Sequence, residues 1–284
     1  MLTHQVALVS EIRDVSAREL TTTGAALQKQ VVRDFEPIWR ISATVAAFAK
    51  LDDVPLGYWP VIVMKDIKQS GAAGIHEDKD GQPFALVEYD DAWTLTASHE
   101  TLEMLADPFG NRLIAGPSPK PKQGRVEFLV ECCDPCEGSE FAYTVNGVVV
   151  SDFYTPHYFD PVAAPGVRYS FGGAITAPRQ VLKEGYLSWH HPPTNHWWQE
   201  IYFGTKPEFR DLGVLGRLAE GSLRSEIDRL THSPLSAKRL SESTRRRITT
   251  LAARVDASAA SDSKAEMWRA QIAQLRAGVE NGPG

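Results

Sequence analysis

The residues with the clearest capacity for chemistry are His99, Glu100 and Glu103, in the run Ser98-His99-Glu100-Thr101-Leu102-Glu103. On a helix, positions i and i+4 share a face about one turn apart, so His99 and Glu103 can bind one ion together. Imidazole nitrogen and carboxylate oxygen are both ordinary zinc ligands. Zinc lowers the pKa of a bound water toward about 7. Glu100, one step round the helix, is placed to accept that water's proton. This is the logic of the H-E-x-x-H helix with a glutamate in place of the second histidine. A single match of this kind is weak, because His and Glu are common on solvated helix faces. Its neighbours strengthen it. Leu95, Ala97, Leu102, Met104 and Leu105 make the helix at least partly buried, and a buried carboxylate is costly unless paired or metal-bound.

A catalytic zinc takes three protein ligands and keeps a fourth position open. The third is sought downstream, in Glu127-Phe128-Leu129-Val130-Glu131-Cys132-Cys133-Asp134-Pro135-Cys136-Glu137. Glu131 and Asp134 end an apolar strand there, and each could instead cap a turn. Glu131 is the first choice, with Asp134 supporting from behind. Tyr154 and Tyr158 are candidates to stabilise an oxyanion, against ordinary packing. Cys133-Asp134-Pro135-Cys136 spells C-x-x-C, but a redox pair needs a following helix to lower the first thiol's pKa. Phe141–Val150 reads as a hairpin instead. His76 either shares another site or lies in a loop. Trp189–Trp198, with three histidines, reads first as a proline-constrained loop packed with tryptophans, and second as a metal or aromatic subsite.

These residues need elements to hold them. Val6–Glu11 reads as a strand, and Ser16–Trp39 as a long amphipathic helix with apolar residues at 20, 25, 27, 31, 32, 35 and 38. Ile41–Phe48, Tyr58–Met64 and Gln82–Tyr89 read as strands, with a turn at Asp78–Gly81. The motif helix, 94–106, is expected to be capped by Asp90 or Asp91 and to end before Pro108. Short strands follow at Val126–Cys132, Tyr143–Val150 and Tyr186–Trp189, with Asn146-Gly147 a strong hairpin turn. From about Pro207 the pattern becomes helical. The expected division is 1–205, a metal-binding catalytic domain, and 206–284, a helical C-terminal appendage for protein–protein contact or oligomerisation.

Taken together, Ser98-His99-Glu100, Glu103, Asp107-Pro108, Glu131 and Asp134-Pro135 resemble a widespread zincin-like group with S-H-E-x-x-E-x-x-x-D-P followed by E-x-x-D. The plant Exordium, or phosphate-induced, proteins resemble it more distantly, with asparagine where Asp107 stands. Val150-Ser151-Asp152-Phe153, Pro156 and Phe159 resemble a further block of the bacterial relatives. The resemblance covers roughly residues 6–205. It implies an α+β fold, a zincin-like mixed sheet with a long helix and an active-site helix, followed here by the C-terminal helical segment. It also implies metal binding by His99, Glu103 and one or both of Glu131 and Asp134, with Glu100 as base. The zincin order places an edge strand at Gly74–His76 or Phe84–Glu88, against which a substrate peptide can add. There is no second motif histidine, no glycine after it and no methionine turn.

The expected function is therefore that of a zinc-dependent hydrolase, first a metallopeptidase acting on a peptide or protein. The alternative is a non-catalytic binding module on the same fold. With 43% hydrophobic and 23% charged residues, the 284-residue chain has the make-up of a folded globular protein. All three cysteines lie between 132 and 136, which argues against a disulfide framework. With no export-type N-terminus and no apolar run long enough for a membrane, a reducing cytoplasmic setting is expected. Residues 1–205 carry 16 Lys+Arg and 26 Asp+Glu, net −10, whereas 206–284 carry 14 and 10, net +4. Arg245-Arg246-Arg247 lacks the aromatic interleaving of a nucleic-acid site and reads as a solvated helix face.

Overall fold

The computed structural model describes residues 3–69, 71–216 and 222–231. Strand β1 (His4–Ser10) carries Val6, Ala7, Leu8 and Val9, all buried, as expected of a central strand covered on both faces. Ser16 then starts helix α1 (Ala17–Gln30). Its hydroxyl accepts the Glu19 N–H while the Glu19 carboxylate accepts the Ser16 N–H, a reciprocal cap. The helix expected over Ser16–Trp39 is continuous but not uniform. A π turn at Val31–Phe35 separates α1 from α2 (Glu36–Trp39), with the Glu36 N–H reaching back to the Val31 carbonyl. Pro37 explains it: its ring crowds the carbonyl four residues earlier and it has no N–H, so the turn ahead of it widens.

Four more strands and the motif helix complete the first layer: β2 (Ala43–Phe48), β3 (Trp59–Met64), β4 (Gly74–Lys79), β5 (Gln82–Glu88) and α3 (Trp93–Ala106). The sheet order is β2-β1-β3-β5-β4. β1, β2, β3 and β5 run parallel, and β4 pairs antiparallel with β5. Of the two edge-strand candidates, Gly74–His76 lies on the edge and Phe84–Glu88 lies inside. α1 packs on β1 and β2, α3 packs on β3, β5 and β4, and the two helices touch. Neither Asp90 nor Asp91 is the helix cap. Ala92 holds that position, and Asp90 Oδ1 accepts the Ala92 N–H at 2.7 Å, bracing the turn that leads in.

The second layer is antiparallel. It contains β6 (Leu113–Pro117) and β7 (Arg125–Leu129), then a separate hairpin of β8 (Tyr143–Val145) and β9 (Val148–Val150), then β10 (Tyr186–His191), β11 (His196–Ile201) and β12 (Glu208–Gly213). The order is β12-β11-β10-β7-β6. Asn146 and Gly147 both have positive φ, 53° and 79°, the geometry that a two-residue hairpin turn requires. The fold is thus α+β, with one mixed sheet, antiparallel sheets beside it and, among the described residues, few helices.

Two expectations are corrected here. The Trp189–Trp198 stretch is a β-hairpin rather than a loop, with Trp189 paired to Trp198 across β10 and β11 and Trp189 and Trp197 buried. Residues 208–213 are a strand, not a helix, and β12 pairs with β11 along its length. A boundary at 205/206 would therefore cut a sheet. Helix α4 (Leu223–Leu230) also belongs to this body, because Ile227 is buried against Leu129 and Trp197. The helices expected beyond 231, with Arg245–Arg247, lie outside the described residues. Among the described residues no helix is long and apolar enough to cross a membrane.

Candidate metal centre

Helix α3 is buried on almost every side, so its polar residues must find partners inside the protein. Ser98 sits at a junction. Its hydroxyl donates to Gln30 Oε1 at 2.7 Å and accepts the Ser151 N–H at 2.9 Å, tying α3 to the long helix and to the segment after β9. One turn on, His99 Nε2 lies 3.1 Å from Glu103 Oε2 and 3.2 Å from Asp134 Oδ1. The chain delivers Asp134 by leaving β7, passing Glu131 and turning through a short 3-10 helix at Asp134–Cys136. Glu103 Oε1 accepts the backbone N–H groups of Cys133 (2.9 Å) and Asp134 (3.3 Å), which turns Oε2 toward His99. Glu103, Glu131 and Asp134 offer oxygens all within 4.8 Å of one another. The four ligand candidates from sequence are thus brought together from two separated stretches.

His76, on β4, is not in a loop. Its Nε2 donates to the Asp107 carbonyl at 3.0 Å, and its Nδ1 faces Glu100 Oε2 at 3.4 Å. Glu100 lies under β4 at its closest approach to α3. A Cβ on Gly74 would fall 2.7 Å from Glu100 Oε1 and 2.6 Å from Thr96 Cγ2, so only glycine lets the edge strand sit there.

The residue that sequence reasoning missed is Arg224. Helix α4 begins at a reciprocal Ser222/Ser225 cap and projects Arg224 into the middle of the acidic cluster. Its Nη1 is 3.3 Å from Glu100 Oε2, and its Nη2 is 3.1 Å from Glu103 Oε2. Its Nε lies 2.9 Å from Glu131 Oε2 and 3.2 Å from Asp228 Oδ2. It also donates to His76, through both the ring Nδ1 and the backbone carbonyl.

Burial and charge compete at each group. Burial disfavours a proton on His99, but the carboxylates of Glu103 and Asp134 outweigh it and hold the pKa well above the usual histidine value. Burial pushes Glu103 up, yet His99 and Arg224 more than offset it and keep this carboxyl ionised. At Asp134, burial and then the Glu103 charge prevail, and the pKa rises to about 6. Burial likewise lifts Glu131 well above the carboxylate range despite Arg224. Asp228 is pushed up by burial to about 7.

The tyrosines and cysteines separate cleanly. Tyr158 spends its hydroxyl on the Gln180 carbonyl at 3.2 Å. Tyr154 stacks on Tyr158 with ring centres 4.3 Å apart, and its hydroxyl has no hydrogen-bond partner. It is fully buried and does not line the cleft over α3. The three thiols are free and buried. Burial pushes Cys132 up to about 12 and the other two well above the usual thiol value, which disfavours thiolate chemistry.

The donor set fits a divalent cation. Both carboxylate oxygens of Glu131 and both of Asp134 are buried without a hydrogen bond; the 2.9 Å approach of Arg224 Nε to Glu131 is a charge contact without hydrogen-bond alignment. The cleft above is lined by residues 71–74, His99, Glu100, Tyr186, Arg224, Asp228 and Thr231, among others; its cavity volume is about 40 Å³. That is room for a few waters and not for a peptide. Comparison with family models, with characterised proteins and with solved structures gives no significant match.

Proposed function

We propose that this chain is a zinc-dependent hydrolase with a zincin-like core, most simply a metallopeptidase. The observation that carries the reading is the convergence of His99, Glu103, Glu131 and Asp134, with four buried carboxylate oxygens left without hydrogen bonds. Ligands about 2.0–2.2 Å from a tetrahedral zinc are separated from one another by about 3.3–3.5 Å. The 3.1 and 3.2 Å separations of His99 from Glu103 and Asp134 lie close to that spacing. They favour Asp134 as third ligand and Glu131 as its support, the reverse of the order read from sequence.

Bound there, zinc would supply Lewis-acid activation of water and of a substrate carbonyl. The chain's own groups supply the rest. Glu100 accepts the proton of the attacking water and can return it to the leaving amine. The backbone N–H groups of Cys133 and Asp134 fix Glu103. The edge strand β4, paired with only one other strand, is the place for an extended peptide to add, once the His76 carbonyl is released from Arg224. The test is a proteome-derived peptide library incubated with the full chain, with and without a zinc chelator, and read by mass spectrometry. Cleavages that disappear with the chelator support the reading.

Replacing the ligand carboxylates ranks them. Asp134→Ala should weaken zinc binding severely, whereas Glu131→Ala should cost about 10–100-fold, the effect of losing an outer-shell partner. Zinc titration of both variants checks the order, and the reverse result would restore Glu131 as the ligand.

One observation favours a second reading, a non-catalytic module on the same fold. The Arg224 guanidinium already supplies a positive charge to the cluster, as a permanent replacement for an ion would.

A further inference from the structure

Three features of α4 bear on that choice. Arg224 is directed at the acidic cluster rather than at solvent, and is 2% exposed. The oxygen it meets at 3.1 Å, Glu103 Oε2, is the same atom that faces His99 Nε2. The helix also roofs the cleft, with Arg224, Asp228 and Thr231 in its lining.

We propose that α4 is a built-in plug: the Arg224 guanidinium claims Glu103 Oε2, the oxygen that faces His99, and the helix covers the cleft that a substrate would enter. The inference rests on the zinc-hydrolase reading and adds regulation to it. A zinc ion within bonding distance of Glu103 Oε2 would press one cation against another at a shared oxygen. Metal loading and α4 docking therefore exclude each other. The docked state is neutralised by Arg224, and the open state by the ion.

Besides the ion pairs of Arg224, specific contacts hold the plug. Ser225 Oγ donates to Glu77 Oε1 on the edge strand, the Arg224 N–H donates to the Gly110 carbonyl at 3.2 Å, and Ile227 fills the site between Leu129 and Trp197. At the far end, Thr231 Oγ1 accepts from Gln199 Nε2 at 2.6 Å. Because Ser225 takes Glu77 of β4, the plug ties up the edge strand along with the cations' position. The eight-residue helix can leave without breaking either sheet, since none of its residues is in a strand.

The test compares zinc affinity, by competition with a chromogenic chelator, in full-length wild type, Arg224→Ala and Ile227→Asp. The first variant removes the guanidinium, and the second undocks the helix without touching the cluster. If the plug is closed about 90–99% of the time, both variants should bind zinc about 10–100-fold more tightly than wild type. Amide exchange across 224–230 should accelerate when zinc is added to wild type. Should Arg224→Ala fold only when zinc is present, its thermal transition will rise on adding zinc far more than that of wild type, which is the same exchange of cations. Equal zinc affinity in all three proteins would overturn the plug and leave the metal site standing. Folded variants that bind no zinc would overturn both, and identify Arg224 as a permanent replacement for the ion.

Discussion

Glu100→Gln should leave the fold and the zinc in place while hydrolysis falls by about 10²–10⁴-fold, the usual worth of one positioned acid–base group. The amide has the size of the carboxylate and fits beneath Gly74, where there is no space to spare. It cannot take a proton from water. Glu100 is outside the trio of His99, Glu103 and Asp134, so the metal's holders are unchanged. Its pairing with Arg224 and His76 is weakened, and zinc binding should hold steady or tighten slightly. The peptide library, run with saturating zinc, compares the two proteins. Equal cleavage by both would remove Glu100 from the chemistry.

Glu103→Ala should have the largest effect on the molecule itself. Its carboxylate is the common partner of His99, of Arg224 and of the Cys133 and Asp134 N–H groups. Removing one member of a buried charged pair costs about 3–5 kcal/mol, because the other is left uncompensated. The metal-free variant should therefore unfold at markedly lower temperature or denaturant concentration than wild type. Added zinc should fail to restore it, since the ligand itself is gone. Calorimetry with and without zinc reads both effects. A variant as stable as wild type would mean that Glu103 is not the hinge of the cluster.

Much of the site was legible because its signals are local. His99, Glu100 and Glu103 lie within five residues, and helical geometry alone brings two of them to one face. The β-rich runs marked the parallel strands, while the edge strand stayed open between Gly74–His76 and Phe84–Glu88 until the pairing of β4 with β5 decided it. The parts that escaped are those decided by distant pairing. Glu208-Phe209-Arg210-Asp211-Leu212-Gly213 has little β-propensity, and it is a strand because β11 offers it an edge. The histidine-rich turn at 190–196 looks like a loop until its flanking tryptophans are paired. Arg224 lies 121 residues beyond Glu103 and inside a stretch that reads as a solvated helix. Its only sequence signals were the Ser222/Ser225 cap and the Arg224–Asp228 spacing. Both say helix, and neither says where its arginine points. The choice between Glu131 and Asp134 likewise depended on a short turn whose backbone grips Glu103, which no side-chain pattern announces.

The most direct test of the metal centre is zinc titration of the full-length wild type beside His99→Ala and Glu103→Ala, with folding of each checked by circular dichroism. About one equivalent of zinc should bind to the wild type and none with comparable affinity to either variant, since each loses one of the two ligands that α3 provides. Full occupancy in both variants, or no zinc on wild type and on Arg224→Ala alike, would contradict the assignment.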